Sequence, residues 1–319
     1  MTSLTAPRFT DENAAREHLE ALRWPQGPFC PHCGSFNAKR LPAVRGRATK
    51  THPDGAIREG VIQCRDCRKQ FSVTVGTLFE RSKIKLNLWL LATHLLCASK
   101  KGISAHQLHR MIGVTYKTAW FMFHRIREAM REETGETFGA GGGGVEVDET
   151  YLGRDREQKA KAGGFSHKMK VLTLVDRVTG QARSVVFQDW RLSEIDAIVR
   201  TNVAADATLY TDEANMYRNI GKRFAAHETV SHGKGEYVRK GVRATHTNTI
   251  EGYFSIFKRG MIGTYQHCGK QHLHRYTAEF DFRYSNRSAN GVDDAMRADL
   301  ALKGIAGRRL FYRRPDIAA

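Results

Sequence analysis

The chain has 319 residues, and its 51 lysines and arginines outnumber its 33 aspartates and glutamates to give a formal net charge of +18. This length permits one sizeable core and one or two small modules. The charge favours polyanionic partners, although solubility alone would also account for it. No run of 18 apolar residues and no signal-peptide pattern occurs, which disfavours a membrane protein and leads us to expect a cytoplasmic one.

Two cysteine pairs mark a small module near the N-terminus. Cys30-Pro-His-Cys33 and Cys64-Arg-Asp-Cys67 are separated by 30 residues, a somewhat long spacer for this pattern. Because each such turn points two thiolates at one centre, the pairs predict a zinc ribbon with a structural Zn²⁺ ion. Two disulfides are disfavoured in a reducing compartment, and a redox pair would need only one of the two motifs.

Three amphipathic segments at helical spacing follow the cysteine module. The second and third, SAHQLHRMI and YKTAWFMFHRIREAM, are joined by Gly113-Val114 and fit a helix-turn-helix whose second helix would enter the major groove of DNA. A purely structural three-helix bundle is the alternative. In the DNA-binding interpretation, the second helix offers Tyr116, Lys117, His124 and Arg125 to DNA, while Trp120, Phe123 and Ile126 pack inward.

The glycine run Gly141–Gly144 separates this helical module from the rest of the chain. Because four consecutive glycines do not form a stable helix or strand, the segment is predicted to be a flexible linker. The predicted divisions are an N-terminal helix or arm (1–28), the zinc ribbon (29–79), the helix-turn-helix module (80–138), the glycine linker (139–144), an α/β core (145–290) and a basic tail (291–319). The tail, with Arg308, Arg309, Arg313 and Arg314, is expected to be a short helix followed by an arm that either contacts DNA or is solvated.

The core region predicts three strands in a meander, a helix and a fourth strand. The strands are VEVDETYL, KVLTLVDR, ARSVVF and ATLYTD, with the helix near SEIDAIVRTNVA. This order resembles the ribonuclease H-like fold, in which one carboxylate lies on the first strand and another just after the fourth. Asp148 and Asp212 occupy those two places. Clustered carboxylates are the hard oxygen ligands that Mg²⁺ prefers.

A third acid, Glu251, begins an amphipathic helical pattern in HTNTIEGYFSIFKRG. Lys258 follows two turns later on the same helical face, so one face presents an acid to a metal ion and a base to a phosphate. Two alternatives stay open: Glu251 could instead cap its own helix in a capping box with Asn248, or Asn248 could be the third ligand. Strand alternation puts Glu146 on the same side as Asp148, which makes Glu146 a reserve candidate, and puts Glu149 on the opposite side.

These motifs together resemble the zinc-ribbon class of bacterial insertion-sequence transposases of the DDE type, the ISXO-like group. The matching stretches are CPHCG, CRDC, VEVDETYLG, LYTDEANMY, HTNTIEGYFSIFKRGMIGTYQHCGKQHLHRY and EFDFRYSNR. The resemblance implies an α/β catalytic core of ribonuclease H-like type, preceded by a small zinc ribbon and a helix-turn-helix module.

The resemblance also implies an activity. The expected enzyme binds the two ends of a mobile element as double-stranded DNA, then cuts and joins them with Mg²⁺ or Mn²⁺, as a homo-oligomer associated with the nucleoid. Its site would fall on Asp148, Asp212, Glu251 or Asn248, and Lys258, with Lys258 and Arg259 positioning phosphates. The alternatives are a catalytically inactive or domesticated DNA-binding regulator and a nuclease that cuts without joining.

Overall fold

The computed structural model describes residues 3–48, 50, 53–55, 57–132, 135–158, 165–188, 191–231, 238–239 and 245–310. Arg313, Arg314 and part of the predicted loop after the first core strand, residues 159–164, lie outside these residues. The chain forms two compact units. The first unit comprises Met1–Ala98, Ala105–Ala129 and Asp294–Ala319, and the second comprises Ser99–Ser104 and Met130–Asp293.

The described residues form helices and strands in an order close to the one predicted. The helices are α1 (Pro7–Thr10), α2 (Glu12–Arg23), α3 (Leu86–Ala98), α4 (Ala105–Ile112), α5 (Tyr116–Met130), α6 (Leu192–Asn202), α7 (Asn215–Gly221), α8 (Asn248–Gly260), α9 (Lys270–Ser285) and α10 (Asp294–Lys303), with a π-helical turn at Met261–Tyr265 and a 3₁₀ turn at Ser288–Asn290. The strands are β1 (Ala38–Arg40), β2 (Val44–Arg45), β3 (Ile57–Arg58), β4 (Ile62–Cys64), β5 (Gln70–Phe71), β6 (Gly144–Leu152), β7 (Met169–Asp176), β8 (Ala182–Phe187), β9 (Thr208–Asp212), β10 (Ala226–Val230), β11 (Val238–Arg239) and β12 (Thr245–His246).

The cysteine module contains two small antiparallel arrangements. β4 pairs with β1 on one side and β5 on the other, and Phe71 of β5 is only 2% exposed. β2 and β3 pair separately as a hairpin inside the spacer between the two cysteine pairs. This inserted hairpin explains why the spacer is longer than usual.

The predicted tail is a folded part of the first unit. Helix α10 packs against α3 and α2, and the Arg297 guanidinium donates a hydrogen bond to the Cys97 carbonyl oxygen at 2.8 Å. Beyond the helix, the backbone N–H of Leu78 donates to Ile305 at 3.1 Å and that of Gly307 donates to Gly76 at 2.9 Å. The segment up to residue 307 therefore completes the first unit and is not an extended arm.

The second unit is built on a five-stranded mixed sheet in the order β10-β9-β6-β7-β8. β6, β7 and β8 form the predicted antiparallel meander, and β9 pairs parallel to β6. One face of the sheet packs on α6 and α7 through residues that include Val147 and Leu174. The other face packs on α8 and α9 through residues that include Val171 and Val175. The mixed α/β core is thus a sheet between two helical layers.

The glycine run corrects the expectation of a flexible linker. The Gly139 N–H donates to Asp176 at 2.8 Å, and the Gly141 N–H donates to Asp206 at 2.9 Å. Gly139 has φ of +75°, and a Cβ there would lie 2.6 Å from the Cβ of Ala207. These glycines serve a tight, hydrogen-bonded turn that leads into β6, because only glycine tolerates this backbone and this close approach.

Within the described residues, no helix combines the length and the apolar character that crossing a membrane requires.

Candidate functional site

The four paired cysteines meet at one point. Their Sγ atoms all lie within 4.8 Å of one another, with 3.6 Å between Cys30 and Cys67 and 3.6 Å between Cys33 and Cys64. A disulfide requires about 2.0 Å, whereas sulfurs around a tetrahedral zinc ion at about 2.3 Å are about 3.8 Å apart. The cluster fits structural zinc and does not fit two disulfides.

The backbone around the cysteines supports thiolate ligands. Gly34 has φ of +76°, and its N–H donates to the Cys30 carbonyl oxygen at 2.8 Å to close the first turn. Hydrogen bonds from the backbone N–H groups of Cys67 and Asp66 lower the pKa of Cys64 to about 7. His32, inside the first motif, is exposed and is not part of the four-sulfur cluster.

Asp148 and Asp212 lie on neighbouring parallel strands. The register between β6 and β9 pairs Glu146 with Tyr210, so continuing by two residues brings Asp148 level with Asp212 on the same face of the sheet. Both carboxylates are partly exposed. The Asp148 side chain accepts a hydrogen bond from the Glu149 N–H at 2.7 Å, and Asp212 accepts one from the Ala214 N–H at 3.0 Å.

Negative charge accumulates around Asp148. Burial raises the pKa of Asp148 to about 7, and the charges of Glu149, Asp212 and Glu251 add to the effect. The three acids singled out in the sequence are therefore electrostatically coupled. In the described part of the chain, no three carboxylates gather as tightly as the four cysteines do.

Glu251 and Asn248 are both exposed in the first turn of α8. They lie three residues apart and so share one side of the helix. The helix begins after Thr247, which occupies the N-cap position that a capping box would assign to Asn248. The structure brings both candidates for the third ligand to the same helix end and does not choose between them.

Glu146 holds this helix end on the sheet. Its carboxylate is fully buried and accepts hydrogen bonds from the Ile250 N–H at 2.9 Å and from the Arg177 guanidinium at 2.7 Å. Arg177 in turn lies 3.6 Å from the centre of the Tyr210 ring and contacts His246. Glu146, the reserve candidate, thus caps α8 from the sheet, a role that helical and strand periodicity did not predict.

Glu149 points to the opposite face of the sheet, as strand alternation predicted. Its carboxylate accepts a hydrogen bond from the hydroxyl of Tyr217 in α7 at 2.6 Å. Burial raises the pKa of Glu149 to about 7. This pair was missed in the sequence, where only the tyrosine in LYTDEANMY, next to the second acid, could have indicated it.

Lys258 and Arg259 are exposed in the last turn of α8. The Lys258 Nζ lies 5.8 Å from the centre of the Phe254 ring, one turn earlier. Arg259 donates to the Ser255 carbonyl oxygen at 3.0 Å. Both side chains are accessible to a ligand that lies along the exposed side of α8.

The predicted DNA-contacting face of α5 needs one correction. Lys117 and Tyr116 are exposed as expected, but His124 is only 1% exposed and cannot reach DNA. Arg125 is half-buried, with its guanidinium 4.9 Å from the centre of the Phe121 ring. The physical reason is that the second half of α5 is buried on most sides, so its accessible surface is confined to its first turn.

We expect Glu146→Gln to destabilise the second unit by about 3 kcal/mol, because it leaves the Arg177 charge without its buried partner. Hydrogen exchange of the β6 and β7 amides at increasing urea concentration measures the loss in the second unit. The matched control is Glu228→Gln. Glu228 forms an ion pair with Arg239 at 3.9 Å between exposed side chains, and its loss should lower the free energy of unfolding by less than about 1 kcal/mol. Equal effects of the two variants would contradict the capping role of Glu146.

Comparison with known families defines the class of this protein. Residues 10–70 match a transposase zinc-ribbon domain, and residues 141–285 match an ISXO2-like transposase domain. The first match contains the four-cysteine cluster, and the second contains the sheet with Asp148 and Asp212. The chain is a member of the zinc-ribbon insertion-sequence transposases of the ISXO2-like group, and the resemblance seen in its motifs is confirmed.

The proteins that are similar to the chain include the following two. An uncharacterized protein in transposable element ISH50 of Halobacterium salinarum is 29% identical over 293 residues, which cover 86% of this chain and 91% of that protein. A chain in the cryo-electron microscopy structure of the simian T-cell lymphotropic virus intasome with the PP2A regulatory subunit B56 gamma is 13% identical, with a TM-score of 0.28. That match covers 61% of this chain and 65% of the other.

Proposed function

We propose that this chain is a DNA transposase that cleaves the ends of its element and joins them to target DNA in a metal-dependent reaction. The observation that carries the proposal is that Asp148 and Asp212 each lie two residues beyond the paired residues Glu146 and Tyr210 of adjacent parallel strands, with the charges of Asp212 and Glu251 acting on Asp148. The strand order, with an acid on the first strand and another at the end of the fourth, supports a ribonuclease H-like core.

The donor set around Asp148 fits Mg²⁺ or Mn²⁺. Hard cations take carboxylate oxygens, and a bound cation would offset the burial and the neighbouring negative charges that together raise the pKa of Asp148. We assign the ligands to Asp148, Asp212 and Glu251, with Asn248 as the alternative third. A divalent ion bound there would supply Lewis-acid polarisation of phosphate oxygens and would lower the pKa of a bound water.

The other residues have positioning roles. Glu146 fixes the start of α8 and with it the position of the third ligand. Lys258 and Arg259 are exposed on α8 two turns after Glu251. They would hold phosphate groups of the DNA strand that lie next to the reacting phosphate. A scissile phosphodiester would therefore lie along the side of α8 that carries both an acid and two bases.

Recognition of the element's ends would belong to the first unit. The zinc ribbon and the α4–α5 pair, interpreted as a helix-turn-helix, would bind double-stranded DNA, with Lys117 at the accessible first turn of α5. Because two ends must be joined in one reaction, a homo-oligomer on DNA is proposed as the active form.

A transposition assay with the native gene flanks as donor tests the proposal and the identity of the third ligand. We expect Glu251→Gln to reduce joined products by at least about 100-fold, a loss of about 3 kcal/mol in transition-state stabilisation, and Asn248→Ala to reduce them less than about tenfold. Glu228→Gln is the control, because Glu228 is an exposed acid on β10. A larger loss of joined products in Asn248→Ala than in Glu251→Gln would identify Asn248 as the third metal ligand. Full activity in both variants would show that α8 supplies no metal ligand.

A further inference from the structure

A cavity of about 450 Å³ opens in the second unit away from the carboxylates. One wall of the cavity is the segment that follows β6. The other wall is the connection from α8 to α9, which contains the π-helical turn. The polar side chains that line it are Arg154, Asp155, Arg156, Glu157, Gln266, His267, Lys270 and Gln271. None of these residues has a part in the site described above.

The acids and the cavity are connected by two structural elements. Along β6, Asp148 is four residues from Leu152, which lines the cavity. At about 3.3 Å per residue this separation is about 13 Å. α8 runs from Glu251 towards Met261, another cavity residue, over about 15 Å at about 1.5 Å per residue. A DNA strand that follows α8 from the acids past Lys258 would therefore reach this cavity after about four nucleotides, at about 3.4 Å of axial rise each.

An ion cluster fixes the walls of the cavity to each other. The Lys270 Nζ at the start of α9 lies 2.8 Å from Asp155 and 3.2 Å from Glu157. Asp155 is only 3% exposed, and its own N–H donates to His167 at 2.7 Å. Lys270 engages both acids of the cavity, and the three basic side chains of the cluster (Arg154, Arg156 and Lys270) outnumber the two acids, which leaves a net positive charge.

Arg154 and Arg156 are exposed on either side of Asp155. Neither guanidinium has an ion-pair partner within the part of the chain that the structure describes. Guanidinium groups bind phosphate through two parallel hydrogen bonds. Two such groups at the mouth of a cavity define a phosphate-binding surface.

The backbone at the opposite wall is strained. Gln266 has φ of +59° and ψ of −50°, and the His267 N–H donates to the Tyr265 carbonyl oxygen at 2.6 Å across it. This is a γ-turn of the rare, strained kind, which non-glycine residues seldom adopt. Backbone strain clusters at active sites, ligand clamps and switch regions, and π-helical turns are frequent at functional sites.

We propose that this arginine cavity is a second DNA-contact site, which binds a backbone phosphate of the strand about four nucleotides from the reacting phosphodiester. The proposal rests on the proposed transposase function. It adds Arg154 and Arg156 to the residues that hold DNA and assigns them a sequence-independent contact.

The test is the salt dependence of binding between the full-length protein and a fluorescent 40-base-pair duplex. We expect Arg154→Gln/Arg156→Gln to weaken binding about tenfold at physiological salt and to reduce the slope of log affinity against log salt by about 1, since the loss of one phosphate contact removes about 0.9. The matched control is Arg200→Gln/Lys222→Gln, which removes the same charge from α6 and the end of α7 on the opposite face of the sheet.

A charge-retaining variant separates binding from folding. Arg154→Lys/Arg156→Lys should recover most of the affinity, and unchanged thermal unfolding of all variants would show that the fold is intact. If the double glutamine variant binds like its control, the cavity proposal is wrong while the transposase proposal stands. If the wild-type protein does not bind the duplex at all, both proposals fail together.

Discussion

Replacing Asp148 by asparagine is expected to abolish strand transfer and, in the absence of Mg²⁺, to make the second unit more stable at pH 8. The first effect follows because a metal ligand is lost, and several kcal/mol of transition-state stabilisation correspond to about 1,000-fold or more in rate. The second follows from the pKa of Asp148, which burial and the neighbouring charges of Glu149, Asp212 and Glu251 raise to about 7.

The sign of the stability effect comes from proton binding. Between about pH 4 and pH 7 the folded chain holds a proton on Asp148 that the unfolded chain has already released, so the stability of the wild type falls as pH rises through this window. Asparagine carries no such proton. The variant should therefore gain about 2 to 4 kcal/mol over the wild type at pH 8, and the gain should vanish near pH 4.

Urea unfolding at the two pH values, with and without Mg²⁺, measures this difference. Added Mg²⁺ should stabilise the wild type and leave the variant unchanged, because only the wild type retains the full carboxylate set. The ribbon zinc must be kept in place throughout. Full strand transfer by Asp148→Asn would contradict the metal site, and equal stability of the variant and the wild type at pH 8 would contradict the raised pKa of Asp148.

Removing one zinc ligand should have the next largest effect. In Cys64→Ser, the three-stranded sheet of β1, β4 and β5 loses the ion that holds it, and strands of two or three residues do not fold alone. Structural zinc sites contribute about 10–16 kcal/mol of apparent binding free energy. We expect about one zinc ion per chain in the wild type, a small fraction of that in the variant, and loss of DNA-end binding and strand transfer.

His32→Ala is the control for this experiment, because His32 lies between two cysteine ligands and is exposed. Its zinc content should equal that of the wild type. Unfolding of the second unit should be the same in both variants, since the ribbon belongs to the first unit. Zinc loss in His32→Ala would show that the ligand set differs from the four cysteines.

Four of the five strands of the core sheet could be predicted nearly residue by residue, whereas the edge strand β10 was not predicted. The predicted ARSVVF strand coincides with β8, and the other predicted core strands differ by one residue or so at their ends. The reason is that apolar residues in this sheet alternate or form short runs bounded by polar turns, and this local signal is strong. Asp148 and Asp212 could be singled out for the same reason, because each stands out as a charge in or at the end of such a run.

Features that depend on long-range contacts could not be predicted in this way. Helical periodicity predicted that His124 contacts DNA, but helix α5 is buried on most sides after its first turn. Glu146 resembled a spare metal ligand, and only its contacts with Ile250 and Arg177, distant in sequence, show that it caps a helix. The glycine run suggested flexibility because composition does not reveal that Asp176 and Asp206 accept its N–H groups.

The position of α10 has a consequence for how the protein is made. Its residues come from the end of the chain, yet they pack on α3 and α2, which are synthesised first. The first unit therefore lacks the helix that packs on α3 and α2 until the second unit has been synthesised. A fragment that stops before residue 294 would keep its zinc ligands and lose the helix that packs on α3, so we expect a fragment cut at the glycines to be less stable than the first unit of the full chain.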